Sequence, residues 1–401
     1  MVLRIVGGAL LAAMVWSSAM ATPASPGGVY SIINATSAQA EQQQAGIAAE
    51  SLQNPGVDGL LIHLRWNEVA PSRTQYKWAA LDAAVQLAIN ANKRFEIGIL
   101  VDGAIPDWVI APAPGGLGAQ SATFSYDAAM ANGCNTIVIA APYDPAYLMA
   151  FRELIQHLAQ HLRGNGVYAK LSMLKLVGIN TTTDELRLPA LAQCKANAVQ
   201  TWQTLGYTPA KLRGAWDTML KIYLAHFPDK AFNIGFIGIN AFPGIEPDGS
   251  AAKTPLRAAA LSQQLAATLI ADAGKAMPGR LALGFDSLTL NPTQLSYQTY
   301  LQAFFAAAQG ANAWLGWQTN ELLGGYPRGG AACGGSTPAK AIPCASSADF
   351  RALLFRGIYP LGKTKTPPDM QGVYLELFPQ NIILYPAAVR AAHNNLAQWK
   401  N

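Results

Sequence analysis

Carboxylates and aromatic side chains recur along this 401-residue chain just past its apolar runs. Arg65, Trp66 and Glu68 follow one such run, Asp102 and Trp108 the next, and Asn180 and Glu185 the one after. Later come Asp286, then Trp317, Gln318 and Glu321, and finally Glu376 inside the last run. Two carboxyl groups on either side of a glycosidic bond can cleave it. One gives the leaving oxygen its proton, and the other acts as nucleophile or base. Aromatic faces cover the apolar face of a sugar ring, while Arg, Asn, Gln and Asp hydrogen-bond its hydroxyls. Glu185 and Glu321 are the candidate catalytic pair. Arg65, Trp66, Asp102, Trp108, Asn180, Asp286, Trp317, Gln318 and Glu376 are the candidate substrate-binding set.

These positions have meaning only if the fold brings them to one face. The apolar runs Gly28–Asn34, Val57–Leu64, Phe95–Val101, Leu171–Asn180, Ala231–Ala241, Arg280–Asp286, Ala311–Gln318 and Gly372–Phe378 read as eight buried strands. Helical spacing fills the intervals, clearest over Ala79–Asn92, Pro145–Arg163, Thr208–Ala225, Pro255–Ala273, Thr293–Gln309 and Ala348–Arg356. Ser37–Gln53 follows the first strand and Pro386–Trp399 the last. Asp144-Pro145, Thr208-Pro209, Thr254-Pro255 and Asn291-Pro292-Thr293 mark helix starts. Strand–helix alternation implies a parallel sheet. An open doubly wound sheet would read similarly. The count of eight, with long third and seventh loops, favours a (β/α)8 TIM barrel, whose chemistry sits on the loops after the strands.

Composition bounds the remaining possibilities. The chain is 51% hydrophobic and 13% charged, with a formal net charge of +5. That supports one large core, and no linker or low-complexity segment divides it. Lys and Arg are scattered, so nucleic acid is not an expected partner. Arg4, the apolar stretch Ile5–Trp16 and Ala19-Met20-Ala21 read as a secretory signal over residues 1–21. Thr22 would then begin a barrel spanning 22–401, secreted or periplasmic and without a membrane segment. Four cysteines suit an oxidising compartment. Cys333 and Cys344 flank a Gly/Pro-rich loop and are the expected disulfide, with Cys134–Cys194 its companion. No zinc spacing accompanies the five histidines, and neither metal nor cofactor is expected. Gly-x-Ser-x-Gly, P-loop and dinucleotide-binding signatures are absent.

The stretch from Gly59 to Trp108 resembles the second and third units of clan A glycoside hydrolases, such as families 5 and 42. The matching residues are Gly59, Trp66, Glu68, Pro71, Tyr76, Trp78, Leu81-Asp82, Pro106 and Trp108. The resemblance implies that Glu185, after strand four, is the acid/base and Glu321, after strand seven, the nucleophile. It implies a carbohydrate substrate. The specific match covers about fifty residues, whereas the element order matches over most of the chain. Two departures stand out. The clan places Asn and Glu side by side after strand four, whereas Glu185 arrives five residues after Asn180. Gln318, which cannot be a nucleophile, lies closest to the end of strand seven. With Gln318 in that role the chain would be a non-catalytic glycan-binding barrel, unless Glu376 or Asp286 serves instead.

Overall fold

The computed structural model describes residues 26–35, 38–101, 103–127, 134–181, 183–190, 197–236, 240–288, 295–319 and 346–396. Its strands are β1 (Gly28–Asn34), β2 (Gly59–Arg65), β3 (Arg94–Leu100), β4 (Ser121–Asp127), β5 (Cys134–Ala140), β6 (Leu171–Lys175), β7 (Ala231–Phe236), β8 (Leu281–Leu288), β9 (Trp314–Thr319) and β10 (Gly372–Leu377). Eight of them close into a parallel barrel in the order β1-β10-β9-β8-β7-β6-β3-β2. This is the expected (β/α)8 architecture. Strands β4 and β5 stand apart as an antiparallel hairpin inside the third loop, which the strand–helix period did not foresee. Phe124 on β4 is buried against Trp202.

The helices are α1 (Ala38–Leu52), α2 (Trp66–Val69), α3 (Ala79–Asn90), α4 (Asp107–Ile110), α5 (Pro145–Gly164), α6 (Ala198–Thr204), α7 (Pro209–His226), α8 (Pro255–Ala276), α9 (Leu295–Ala311), α10 (Ser347–Ile358), α11 (Pro379–Leu384) and α12 (Pro386–His393). Three begin as their sequences indicate, with Pro in the first turn and a side-chain oxygen on the free amides. Asp144 accepts from the Ala146 amide at 2.8 Å, and Thr208 and Thr254 accept from Lys211 and Arg257 at 3.2 Å. Ser346 and Asp349 form a reciprocal capping box at α10.

Side chains alternate across each strand. Outward ones form one continuous apolar layer with the helices, from Val29 and Leu60 round to Leu377. The fourth barrel strand was expected to reach Asn180, but β6 ends at Lys175. The Leu176 amide still bonds the Asn233 carbonyl at 2.7 Å, and residues 176–180 stay buried off the ladder. Burial, which the apolar run reports, outlasts the strand. Gly178 makes the departure possible at φ +123°, where an added methyl would lie 2.6 Å from the Met219 sulfur.

Residues 1–21, expected to be a secretory signal, lie outside the described residues together with Thr22, as do Asp102, Cys194, Glu321, Cys333 and Cys344. No helix among the described residues is long and apolar enough to cross a membrane.

Candidate active site

The inward positions of the barrel strands are polar toward their C-terminal ends. Lys175, the last residue of β6, places Nζ 2.8 Å from Asp184 Oδ2 and 2.8 Å from Glu376 Oε2 on β10. Asn233 on β7 donates to Glu376 Oε1 at 3.0 Å. His63 on β2 sets Nε2 3.5 Å from Asp184 Oδ2, while its Nδ1 lies 3.1 Å from Asn34 Oδ1. Glu96 on β3 and Asp286 on β8 are buried in the same interior, their carboxyl oxygens without hydrogen-bond partners among the described residues. Glycines make the room. A methyl on Gly235 would lie 2.6 Å from Asp286 Oδ2, and one on Gly316 would enter the Tyr374 ring.

One ammonium cannot offset four carboxylates away from water. Burial and the charge of Glu376 push Glu96 well above its ordinary range, and Lys175 only partly opposes this. Burial does the same to Asp286, against Lys175 and reinforced by Asp184 and Glu185. Both carboxyls are thus biased toward the protonated form. Burial would also raise Asp184, but Lys175 and His63 outweigh it and hold this carboxyl well below the ordinary Asp range. Glu376 is raised by burial despite its ion pair. Burial alone would lower the pKa of Lys175, yet Asp184 and Glu376 prevail and it rises.

Glu185 sits at the rim of this interior. Its backbone bridges to Gly235, and the next amide, Leu186, bonds the Gly235 carbonyl at 2.9 Å. The segment thus takes the place of β6 beside β7, just beyond the Lys175–Asn233 pair. A methyl on Gly235 would stand 3.0 Å from the Glu185 Cα, so Glu185 and Asp286 flank one glycine. The Glu185 carboxylate accepts from the Thr183 hydroxyl, and Arg187 lies 3.6 Å away. Its side chain keeps 13% exposure, against 1% for Glu376 and 5% for Asp184. Burial raises its pKa, with Arg187 opposing and Asp184 assisting. A partly exposed carboxyl with raised proton affinity can deliver a proton to a bound group.

No family model matches the chain, and no curated relative does. Solved structures do match. The catalytic domain of β-amylase from Paenibacillus polymyxa superposes with a TM-score of 0.54 over 91% of this chain and 95% of that one, at 12% identity. The chain shares that domain's fold. Xylanase 10B from Thermotoga maritima gives a TM-score of 0.49 at 10% identity, over 92% of this chain and 95% of that one. A GH10 protein from Paenibacillus barcinonensis gives 0.46 at 13% identity, over 88% and 84%.

Within this barrel the expected site residues divide. Glu185, Asp286, Gln318 and Glu376 come to the inner face, and Arg65 is exposed at the rim of β2. Gln318 pairs in register with Glu376, and its Oε1 has no partner among the described residues. The tryptophans require correction. Trp66 is fully buried in the outer layer, its ring 6.5 Å from Trp108, 5.7 Å from Tyr147 and 6.3 Å from Phe151. Trp317 packs on Phe285 and Phe304, also outside the barrel. Trp108 is 8% exposed and donates its indole N–H to the Ala70 carbonyl at 2.8 Å. Alternation forces this, because neighbours in one strand face opposite ways. Trp317 must point away from Gln318, and Trp66, just past the strand, turns its ring away from the rim at Arg65. Asn180 is corrected too. It is buried, accepts from Gly178 N at 3.2 Å and donates to the Thr183 carbonyl at 2.5 Å, so it shapes the loop rather than meeting a ligand.

Lys175, Asp184, His63, Glu96 and Asn233 were missed. A signal for three of them was present: Glu96, Lys175 and Asn233 interrupt strands read as buried on both faces, where a charged group needs a partner. A groove of about 830 Å³ between α7 and α8, lined by Arg213, Leu220, Leu265 and Asp272, lies on the outer helix layer away from this chemistry. Among the described residues no cluster suits a metal ion.

Proposed function

We propose that the chain is a glycoside hydrolase of the clan A kind, acting on an oligo- or polysaccharide, with Glu185 as proton donor. The observation that carries this reading is the setting of Glu185, a rim carboxyl held beside Gly235 and raised by burial at the C-terminal mouth of a parallel barrel. That mouth is where barrels of this fold keep their chemistry. Glu321, two residues past β9, is the proposed nucleophile. A separation of about 5–5.5 Å between the two carboxyls would give retention, and about 6.5–9.5 Å inversion. Arg65 at the rim would hydrogen-bond sugar hydroxyls. Residues 1–21 would direct export, and the cysteine pairs 333–344 and 134–194 would then be oxidised.

The test is release of reducing ends from a panel of polysaccharides by the wild-type chain, Glu185→Gln and Glu321→Gln. Both variants should lose most turnover and keep the wild-type circular dichroism. Glu185→Gln should retain activity on aryl glycosides whose leaving group needs no proton, and Glu321→Gln should not.

One observation favours a second reading, a glycan-binding barrel without hydrolysis. Gln318 occupies the inward position at the end of β9, beside Glu376. Wild-type protein that binds a polysaccharide and cleaves none would select this reading.

A further inference from the structure

Lys175 and Asp184 lie nine residues apart, joined by the loop that leaves β6, which is buried over residues 176–181. Their side chains meet at 2.8 Å with 1% and 5% exposure. Lys175 is gripped from the far side of the barrel by Glu376, which Asn233 holds in turn. Asp184 is gripped from β2 by His63. One residue further along, Glu185 bridges to Gly235 and Leu186 bonds its carbonyl. Asp184 is therefore tied to β2, β6 and, through Lys175, β10, immediately before the rim carboxyl. An apolar pair would hold the loop at least as well, since a buried ion pair adds little net stability over well-packed hydrophobic side chains. What the ion pair adds is fixed geometry and a charge next to Glu185.

We propose that Lys175 and Asp184 are positioning residues for Glu185, their ion pair clamping the 183–187 segment at the barrel mouth. The proposal rests on Glu185 as the proton donor. The charged and titratable groups that face Glu185 are Asp184 and Arg187 on its own segment, Lys175 on β6 and Asp286 on β8. Asp184 favours its protonated form, whereas Arg187 and Lys175 oppose it. The clamp thus sets the place of the carboxyl and its readiness to give a proton.

The test reads Glu185 directly and needs no substrate, so it can fail while the hydrolase reading stands, and the reverse. The full chain is labelled with 13C-carboxyl glutamate, and the Glu185 resonance is identified by its loss in Glu185→Gln. In Asp184→Asn, which keeps the size and an acceptor for Lys175, the Glu185 titration midpoint should move down. A purely structural role for Asp184 would leave it in place. In Lys175→Met, hydrogen exchange at the Leu186 and Arg187 amides should accelerate relative to the amides of β2. An unmoved midpoint in Asp184→Asn, or unchanged protection of those two amides in Lys175→Met, overturns the proposal. Either variant decides alone if the other does not fold.

Discussion

The two faces of the same barrel strands are built on opposite terms. The outer face is apolar and rich in aromatics, with Trp317, Phe285 and Phe304 in mutual contact and Trp66 just past β2 in the same layer. The inner face, one residue away along each strand, holds Lys175, Glu96, Asp286, Asn233 and Glu376. A residue's order in the chain therefore says less about its role than its phase along the strand. The tryptophans beside the candidate site lie close to it in sequence, yet they stabilise the helix layer. The inner polar set brings no comparable hydrophobic gain and instead holds the charge balance from which Glu185 projects.

The comparison is broken most severely by removing one partner from each face. Lys175→Met leaves Asp184 and Glu376 buried without their cation, at an expected cost of about 3–5 kcal/mol in denaturant unfolding. Removing all three charges together, with Asp184→Asn and Glu376→Gln added, should recover most of that loss. If the triple variant is no more stable than the single, the inner face is held by something other than this ion pair. Trp66→Ala should cost about 3–5 kcal/mol through the cavity it leaves among Trp108, Tyr147 and Phe151. Glycan binding by the folded fraction should be unchanged. A weakened glycan affinity at unchanged stability would return Trp66 to the site.

A smaller, pH-dependent effect sharpens the contrast. The folded-state pKa of Asp286 lies above its ordinary 3.8, because burial dominates over Lys175. Stability from this group is present below the ordinary value and is lost as pH rises through the raised one. Asp286→Asn removes that loss. Its stability should match the wild type near pH 3 and exceed it at neutral pH, as read by thermal midpoints across the range. Parallel curves for the two proteins would show that Asp286 is not held protonated.

The barrel itself was legible because its strands are short apolar runs separated by helical spacing and its helices carry Asp-Pro and Thr-Pro starts at 144, 208 and 254. Those signals are local and need no knowledge of neighbours. The hairpin was not legible, since Ala122-Thr123-Phe124-Ser125 alternates like any half-buried strand and the count of eight left no place for it. Within the site, Glu185, Asp286 and Glu376 were readable as carboxylates at strand ends. Strand phase is readable as well: Trp317 and Gln318 are neighbours in one strand, so only one of them can face the interior. Asp184 was less accessible, because its partner Lys175 lies across a loop whose path depends on Gly178 and Asn180.

The most direct measurement compares wild type and Glu185→Gln on two substrates, an unactivated oligosaccharide cleaved by the wild type and an aryl glycoside of the same sugar. With Glu185 as proton donor, the variant loses roughly 100-fold or more in kcat/KM on the oligosaccharide. It stays near wild type on the aryl glycoside. Equal oligosaccharide cleavage by the two proteins would contradict that role.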